Sequence, residues 1–115
     1  MGCVEKVGMV IHPVRELEPA RRFYEEVLGL ALLFRDGDRF CAFDAGGVRI
    51  ALAAGAEDVA GATAVAYKVR DLTAAIAALE AAGAERVRGP EEGAHERRAV
   101  LRDPAGNAFV LYAPK

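Results

Sequence analysis

Only two side chains of this sequence titrate close to neutral pH, His12 and His95, and only two carry a thiol, Cys3 and Cys41. General acid–base catalysis near neutrality therefore has two imidazoles to draw on. The thiols are too few for a disulfide framework and lack the spacing of a metal site, so both read as free. Cys41 stands in the apolar run Arg39 to Phe43 and is expected to be a small buried hydrophobe, while a nucleophile–base pair with either histidine requires a contact that spacing alone does not supply. His95 falls in Gly93-Ala94-His95-Glu96, a loop expected to leave its side chain in solvent. Cationic chemistry has more candidates, among them the neighbours Arg97 and Arg98, only one of which can share a strand face with a ligand.

The elements that must position these groups are announced by a repeated phrase. Val14-Arg15-Glu16-Leu17 returns as Val69-Arg70-Asp71-Leu72, each closing an apolar run and opening a helical pattern. Gly46-Gly47-Val48-Arg49-Ile50-Ala51-Leu52 has the grammar of Ala105-Gly106-Asn107-Ala108-Phe109-Val110-Leu111, a glycine turn feeding a strand. The period is too long for a solenoid, so duplication inside one domain is the reading. A strand is predicted from Val4 to Val14. A helix follows from about Glu18, with Leu17, Ala20, Phe23, Tyr24, Val27 and Leu28 at helical spacing, Pro19 in the first turn and Gly29 as the stop. Strands Ala31–Arg35, Arg39–Phe43 and Val48–Ala53 come next, the first two joined by an Asp36-Gly37-Asp38 turn. The pattern then restarts: strand Thr63–Val69, helix Leu72–Ala82 capped by Asp71 and stopped by Gly83, and strand Glu85–Arg88. A loop through Gly89-Pro90 leads to strands Arg97–Arg102 and Ala108–Tyr112. The order is βαβββ, twice.

A chain of 115 residues is one domain's worth and buries roughly two-thirds of its unfolded surface. Residues 1–115 are therefore expected to form a single domain, with a first module at about 1–54, a connection at 55–62 and a second module at about 63–115. The formal net charge of -2, with acidic and basic residues interspersed, carries no basic stripe, so no nucleic-acid partner is expected. Nothing approaches the ~18 consecutive apolar residues of a membrane span, and no secretory pattern opens the chain, so a cytoplasmic protein with no membrane partner is expected.

Several motifs together carry a family resemblance: Val14-Arg-Glu-Leu with Phe23-Tyr24 and Leu28-Gly29, Val69-Arg-Asp-Leu with Leu79-Glu-Ala-Ala-Gly83, and Asp103-Pro-Ala-Gly-Asn107. Over nearly its whole length the chain resembles the vicinal oxygen chelate superfamily of glyoxalases, bleomycin resistance proteins and extradiol dioxygenases. The resemblance implies an α+β fold of two βαβββ modules forming a curved, partly open mixed sheet around a cavity, with helices on the convex faces. Enzymes of that superfamily hold a divalent metal with His and Glu drawn from four strand positions. Measured from the shared motifs, these positions fall here at Met9, Ala51, Ala64 and Val110. A thioether, two methyls and an isopropyl offer no set of hard or borderline donors, and a shift of one residue in either direction brings none. Neither a metal nor any other cofactor is therefore expected.

Strand parity extends this wall to Ile11, Arg49, Ala53, Ala66, Lys68, Ala108 and Tyr112, and turns His12, an odd number of residues from Met9, to the helix-packed face. The wall is small and apolar apart from Arg49 and Lys68, whose charges must either reach the rim or meet an anionic or phenolic ligand. The resemblance then implies a metal-free small-molecule binding protein like the antibiotic-sequestering branch, holding an apolar or aromatic ligand by burial and stacking on Phe34, Phe40 or Tyr112. The expected ligand-binding residues are Met9, Phe34, Arg49, Ala51, Ala64, Lys68, His95, Arg98, Val110 and Tyr112, with none catalytic. A homodimer is expected. Two alternatives stand beside this reading: a lyase, isomerase or dioxygenase-like enzyme using the same cavity, and a structural or interaction module whose cavity is filled by packing.

Overall fold

Eight strands and two main helices follow one another in the order the repeat predicts, in a computed structural model that describes residues 2–115. The first run comprises β1 (Val4–Pro13), α1 (Leu17–Arg22), β2 (Ala31–Asp36), β3 (Phe40–Asp44) and β4 (Arg49–Ala53). The second comprises β5 (Ala64–Val69), α2 (Leu72–Ala81), β6 (Glu85–Glu92), β7 (Glu96–Arg102) and β8 (Ala108–Pro114). The fold class is α+β with mixed strand pairing, and among the described residues no helix is long and apolar enough to cross a membrane.

The chain divides into two compact units whose boundary falls inside β1: Met9–Thr63 form one, and residues through Gly8 with Ala64–Lys115 form the other. The Gly55–Thr63 connection thus packs with the first βαβββ run, and the start of β1 packs with the second. In the first unit the strands lie in the order β2-β3-β4-β1, in the second β1-β5-β8-β7-β6, with β1 contributing to both. Each unit closes on a parallel pair, β1 with β4 (Val10 opposite Ile50) and β5 with β8 (Val65 opposite Phe109), and builds the rest antiparallel. The duplicated phrases of the sequence are thus a duplicated topology.

Each unit has its own helix-side core. In the first, Leu17, Cys41, Phe43, Leu52 and Ala54 are buried together against Ala20, Tyr24 and Leu32. In the second, Val69, Leu72, Ala75, Ile76, Leu101 and Leu111 are buried against Leu79, Tyr67 and Phe109. Helix α2 begins as the sequence predicts, with Asp71 Oδ1 accepting the Ala74 amide at 3.0 Å. Its end follows too: the Gly83 and Ala84 amides turn back onto the carbonyls of Glu80 and Leu79.

Two elements depart from expectation. The first helix is regular only over Leu17–Arg22 and then widens into a π-helical turn over Phe23–Val27, the Leu28 amide reaching back five residues to the Phe23 carbonyl. The wider turn keeps Tyr24 on the core, 6.0 Å from the Phe43 ring, but rotates Phe23, Val27 and Leu28 outward to 49%, 70% and 53% exposure. These three residues are therefore not core, although their spacing is helical. The second departure is β6, which does not stop at Arg88 but runs through Gly89-Pro90 to Glu92. Its register slips between Arg88 and Glu91, so the proline sits in a bulge of an edge strand, where a missing amide proton removes no ladder bond. Gly89 (φ +91) is fixed at that bulge, since a Cβ would stand 2.8 Å from the Arg98 carbonyl oxygen.

Candidate functional site

In the first unit, strand register assembles one row across the face opposite α1: Ile11 beside Ala51, Ala51 beside Ala42, and Ala42 beside Phe34. Phe34 joins this face because β2 carries a bulge between Leu32 and Phe34, which sends Leu32 toward Phe43 and the core but Phe34 to the alanines. Its ring lies 5.9 Å from that of Phe40, stacked at 26°, and is 42% exposed. Ala42, Ala51 and Ala53 are fully buried, Met9 is half-buried one pleat before Ile11, and Arg49 is exposed opposite Asp44. Arg49 thus reaches solvent at the rim.

The opposite face carries His12, as parity predicts. Its Nδ1 is 2.7 Å from the Thr63 hydroxyl, and its ring stacks on Tyr24 at 6.1 Å. Cys41 is fully buried in the core, where loss of solvation pushes its thiol pKa up. A buried thiol with a raised pKa is a poor nucleophile. The two groups that the residue types made most interesting are structural.

In the second unit, register settles the position of the paired arginines. Lys68 on β5 lies beside Tyr112 on β8, Tyr112 beside Arg98 on β7, and Arg98 beside Glu91 on β6. Arg97 points the other way and pairs with Glu92 at 3.0 Å. The Arg98 side chain is only 11% exposed and stands 3.6 Å from Glu91 and 4.0 Å from Glu96, while Arg88 also reaches Glu91 at 3.1 Å. Tyr112 is held from β1, because its hydroxyl occupies the space a Cβ on Gly8 would need, 1.7 Å from the ideal position. Gly8 has no unusual φ, and a side chain there would have to displace the outer end of the Tyr112 ring. Ala64, Ala66 and Val110 complete the face at 3%, 1% and 3% exposure.

His95 lies at the tip of the β6–β7 turn, which the Gly93 amide closes onto the Glu96 carbonyl at 2.7 Å. Its side chain is exposed, and its backbone amide, not its ring, contacts the Glu96 carboxylate at 3.2 Å. Of the expected ligand-binding residues, the structure brings Lys68, Arg98 and Tyr112 into one row with Val110 and Ala64 on the same face, and leaves His95 outside it. Met9, Phe34, Arg49 and Ala51 share a face in the other unit. Sequence reasoning missed Glu91 and Glu96, whose alternation with arginine reads as an ordinary solvated stretch. A cleft of about 470 Å³ was equally illegible: it lies on the helix side of the second unit, among Cys3, Glu5, Arg70, Ala74 and Ala78.

The metal positions implied by the resemblance can be tested on their donors. Met9 and Ala51 offer a thioether and a methyl, Ala64 and Val110 only hydrocarbon, and three of the four are buried. Among the described residues no three His, Cys, Asp or Glu side chains gather closely enough to hold a metal ion. A divalent metal does not fit these residues.

A βαβββ unit made twice, each with its last strand parallel to its first, is the architecture of the vicinal oxygen chelate class, which includes the glyoxalase, bleomycin resistance and dioxygenase proteins. Comparison with known proteins narrows this. The chain belongs to the glyoxalase-like domain family, whose pattern matches residues 8–112. It is 42% identical over 110 residues to an uncharacterized protein of Mycolicibacterium smegmatis, covering 95% of this chain and 94% of that one. Its fold is similar to that of methylmalonyl-CoA epimerase from Mycobacterium tuberculosis, with a TM-score of 0.78 at 20% identity over 100% of this chain and 91% of the other. A glyoxalase/bleomycin resistance protein/dioxygenase superfamily member from Vibrio splendidus is similar at a TM-score of 0.69 and 16% identity, covering 91% of this chain and 96% of its own.

Proposed function

We propose that this protein binds a small apolar or aromatic molecule without a metal ion and without transforming it, as a homodimer in the cytoplasm. The observation that carries the reading is that Met9, Ala51, Ala64 and Val110, the positions where the resemblance places the superfamily's metal ligands, include no imidazole or carboxylate. The half-exposed Phe34 ring stacked on Phe40 adds an aromatic platform, and Met9, Arg49, Lys68 and Tyr112 are among the partly or fully exposed members of the two faces. The alanines are closed to solvent, so contact begins at these larger side chains. Stacking on an exposed ring contributes about 0.5–1.5 kcal/mol beyond area burial. Two free cysteines suit a reducing compartment.

A thermal-shift screen of aromatic antibiotics and small aromatic metabolites, run with and without divalent metals, tests the proposal. At least one aromatic compound should raise the melting temperature equally in both conditions, since a ligand that binds only the folded state must stabilise it. Stoichiometric metal in the purified protein, with a turnover abolished by chelation, would overturn the reading in favour of a lyase, isomerase or dioxygenase-like enzyme. Turnover lost in a His95→Ala variant would point the same way without metal. Sedimentation should report a dimer, and a monomer at micromolar concentration would remove that part of the proposal.

A further inference from the structure

We infer that the outer edge of β2 pairs antiparallel with the β2 edge of a second copy of this chain, extending the first unit's sheet across a two-fold axis; the inference rests on the dimer reading above. β2 and β6 each have a strand neighbour on one side only. Such an edge offers a row of unpaired amides and carbonyls to any other strand, and proteins that stay apart blunt their edges with charge, proline or a break in the pleat.

β6 is blunted in all three ways. Five of its eight residues, Glu85, Arg86, Arg88, Glu91 and Glu92, are charged, Pro90 lies within it, and its register slips twice. β2 has little of this protection. It opens with Ala31-Leu32-Leu33-Phe34, a stretch with neither charge nor proline and with a single bulge between Leu32 and Phe34. Leu33 and Phe34 are about half-exposed, as are Phe23 and Leu28 in the turn that leads into β2, and Val27 is more so. Of the nine large hydrophobic side chains exposed among the described residues, five thus fall within residues 23–34. Apolar exposure concentrated on one edge and its approach marks a surface that a partner covers.

Charge selects a second copy as that partner and sets its direction. Glu26, ahead of β2, is exposed and makes no ion pair among the described residues. Arg39, past the other end of β2, is also exposed, with its guanidinium 3.3 Å from Asp36. An antiparallel pair reverses the order of the strand, so the Glu26 end of each copy meets the Arg39 end of the other, and two-fold symmetry makes the match twice. A parallel pair would set like charge against like, which association disfavours. The segment is complementary to itself in one orientation, with main-chain hydrogen bonds supplying the attraction and the end charges the direction.

The test combines sedimentation velocity of the whole protein over a range of concentrations with amide hydrogen exchange above and below the dissociation midpoint. Amides of Ala31–Asp36 should gain protection in the dimer and lose it on dilution. Leu33→Lys, a charge on the exposed edge, should weaken the dimer by about tenfold or more, whereas Val87→Lys on the β6 edge should leave it unchanged. Glu26→Arg and Arg39→Glu should each weaken it, and the double variant should recover it, because exchanging the two charges restores both opposite pairs. A dimer whose β2 amides exchange equally at all concentrations, or one that survives Leu33→Lys, overturns the inference while the dimer reading stands. A double variant as weak as the single ones overturns the antiparallel match. A protein that stays monomeric throughout overturns the inference and the dimer reading together.

Discussion

Glu18 shows how much a residue's chemistry depends on partners that lie far away in sequence. Its carboxylate accepts from Arg21 at 2.8 and 3.0 Å and from Arg35 Nη1 at 2.6 Å, while Arg35 continues to Asp38 and to the Gly37 carbonyl. First the Arg21 bond and then the Arg35 bond hold its pKa at about 2, below the usual 4.5. A depressed carboxylate contributes stability that is fully present above its unfolded pKa and is lost as pH falls through the folded value. Urea midpoints should therefore decline as pH drops from about 4.5 toward 2, and Glu18→Gln should flatten that part of the profile. A slope unchanged by the substitution would show that other carboxylates, such as Asp103, carry the dependence. The i,i+3 pair with Arg21 could be read from the sequence, but the bond from Arg35 could not. The same holds at the site, where Lys68 and Tyr112 were legible as candidates by parity, while the choice between Arg97 and Arg98 needed the register of β7 on β8.

At the scale of elements, local signals succeeded where chain neighbours settle the outcome. Asp71 before Leu72 caps α2 because its side chain and the Ala74 amide are three residues apart on one turn. Asp71→Ala should cost about 1 kcal/mol in chemical denaturation, and Asp71→Ser much less; equal losses would mean the carboxylate's charge, not its hydrogen bond, matters. The signals failed where a strand's environment overrides its residues. Gly89-Pro90 reads as the end of a strand, yet β6 lies at the edge of the sheet, and a bulge accommodates the pair. Phe23, Val27 and Leu28 read as core, yet the π-helical turn faces them outward. The bulge in β2 that brings Phe34 to the alanine face is likewise invisible to a period-two count, because one extra residue reverses every later side chain.

For the whole molecule, the fact that no three His, Cys, Asp or Glu side chains gather among the described residues leads to a plain expectation. A ligand bound at a hundred times its Kd adds ~2.7 kcal/mol of stability. Zinc, manganese, cobalt or nickel added to chelator-treated protein should therefore leave the thermal midpoint where it was, and a rise with any of them would reveal a site these residues do not suggest. The sequence by itself determined the duplicated βαβββ order, the helix cap and the side to which His12 turns. Each of these depends on periodicity or on motifs a few residues long, and the chain carries that information locally. Only the tertiary structure decided that the boundary between compact units falls inside β1 and that Gly8 makes room for the Tyr112 hydroxyl. It also decided that Arg98, not Arg97, joins Lys68 and Tyr112 in one row. These depend on strand register, which is fixed by hydrogen bonds and close contacts between residues distant along the chain and leaves no mark in the local pattern.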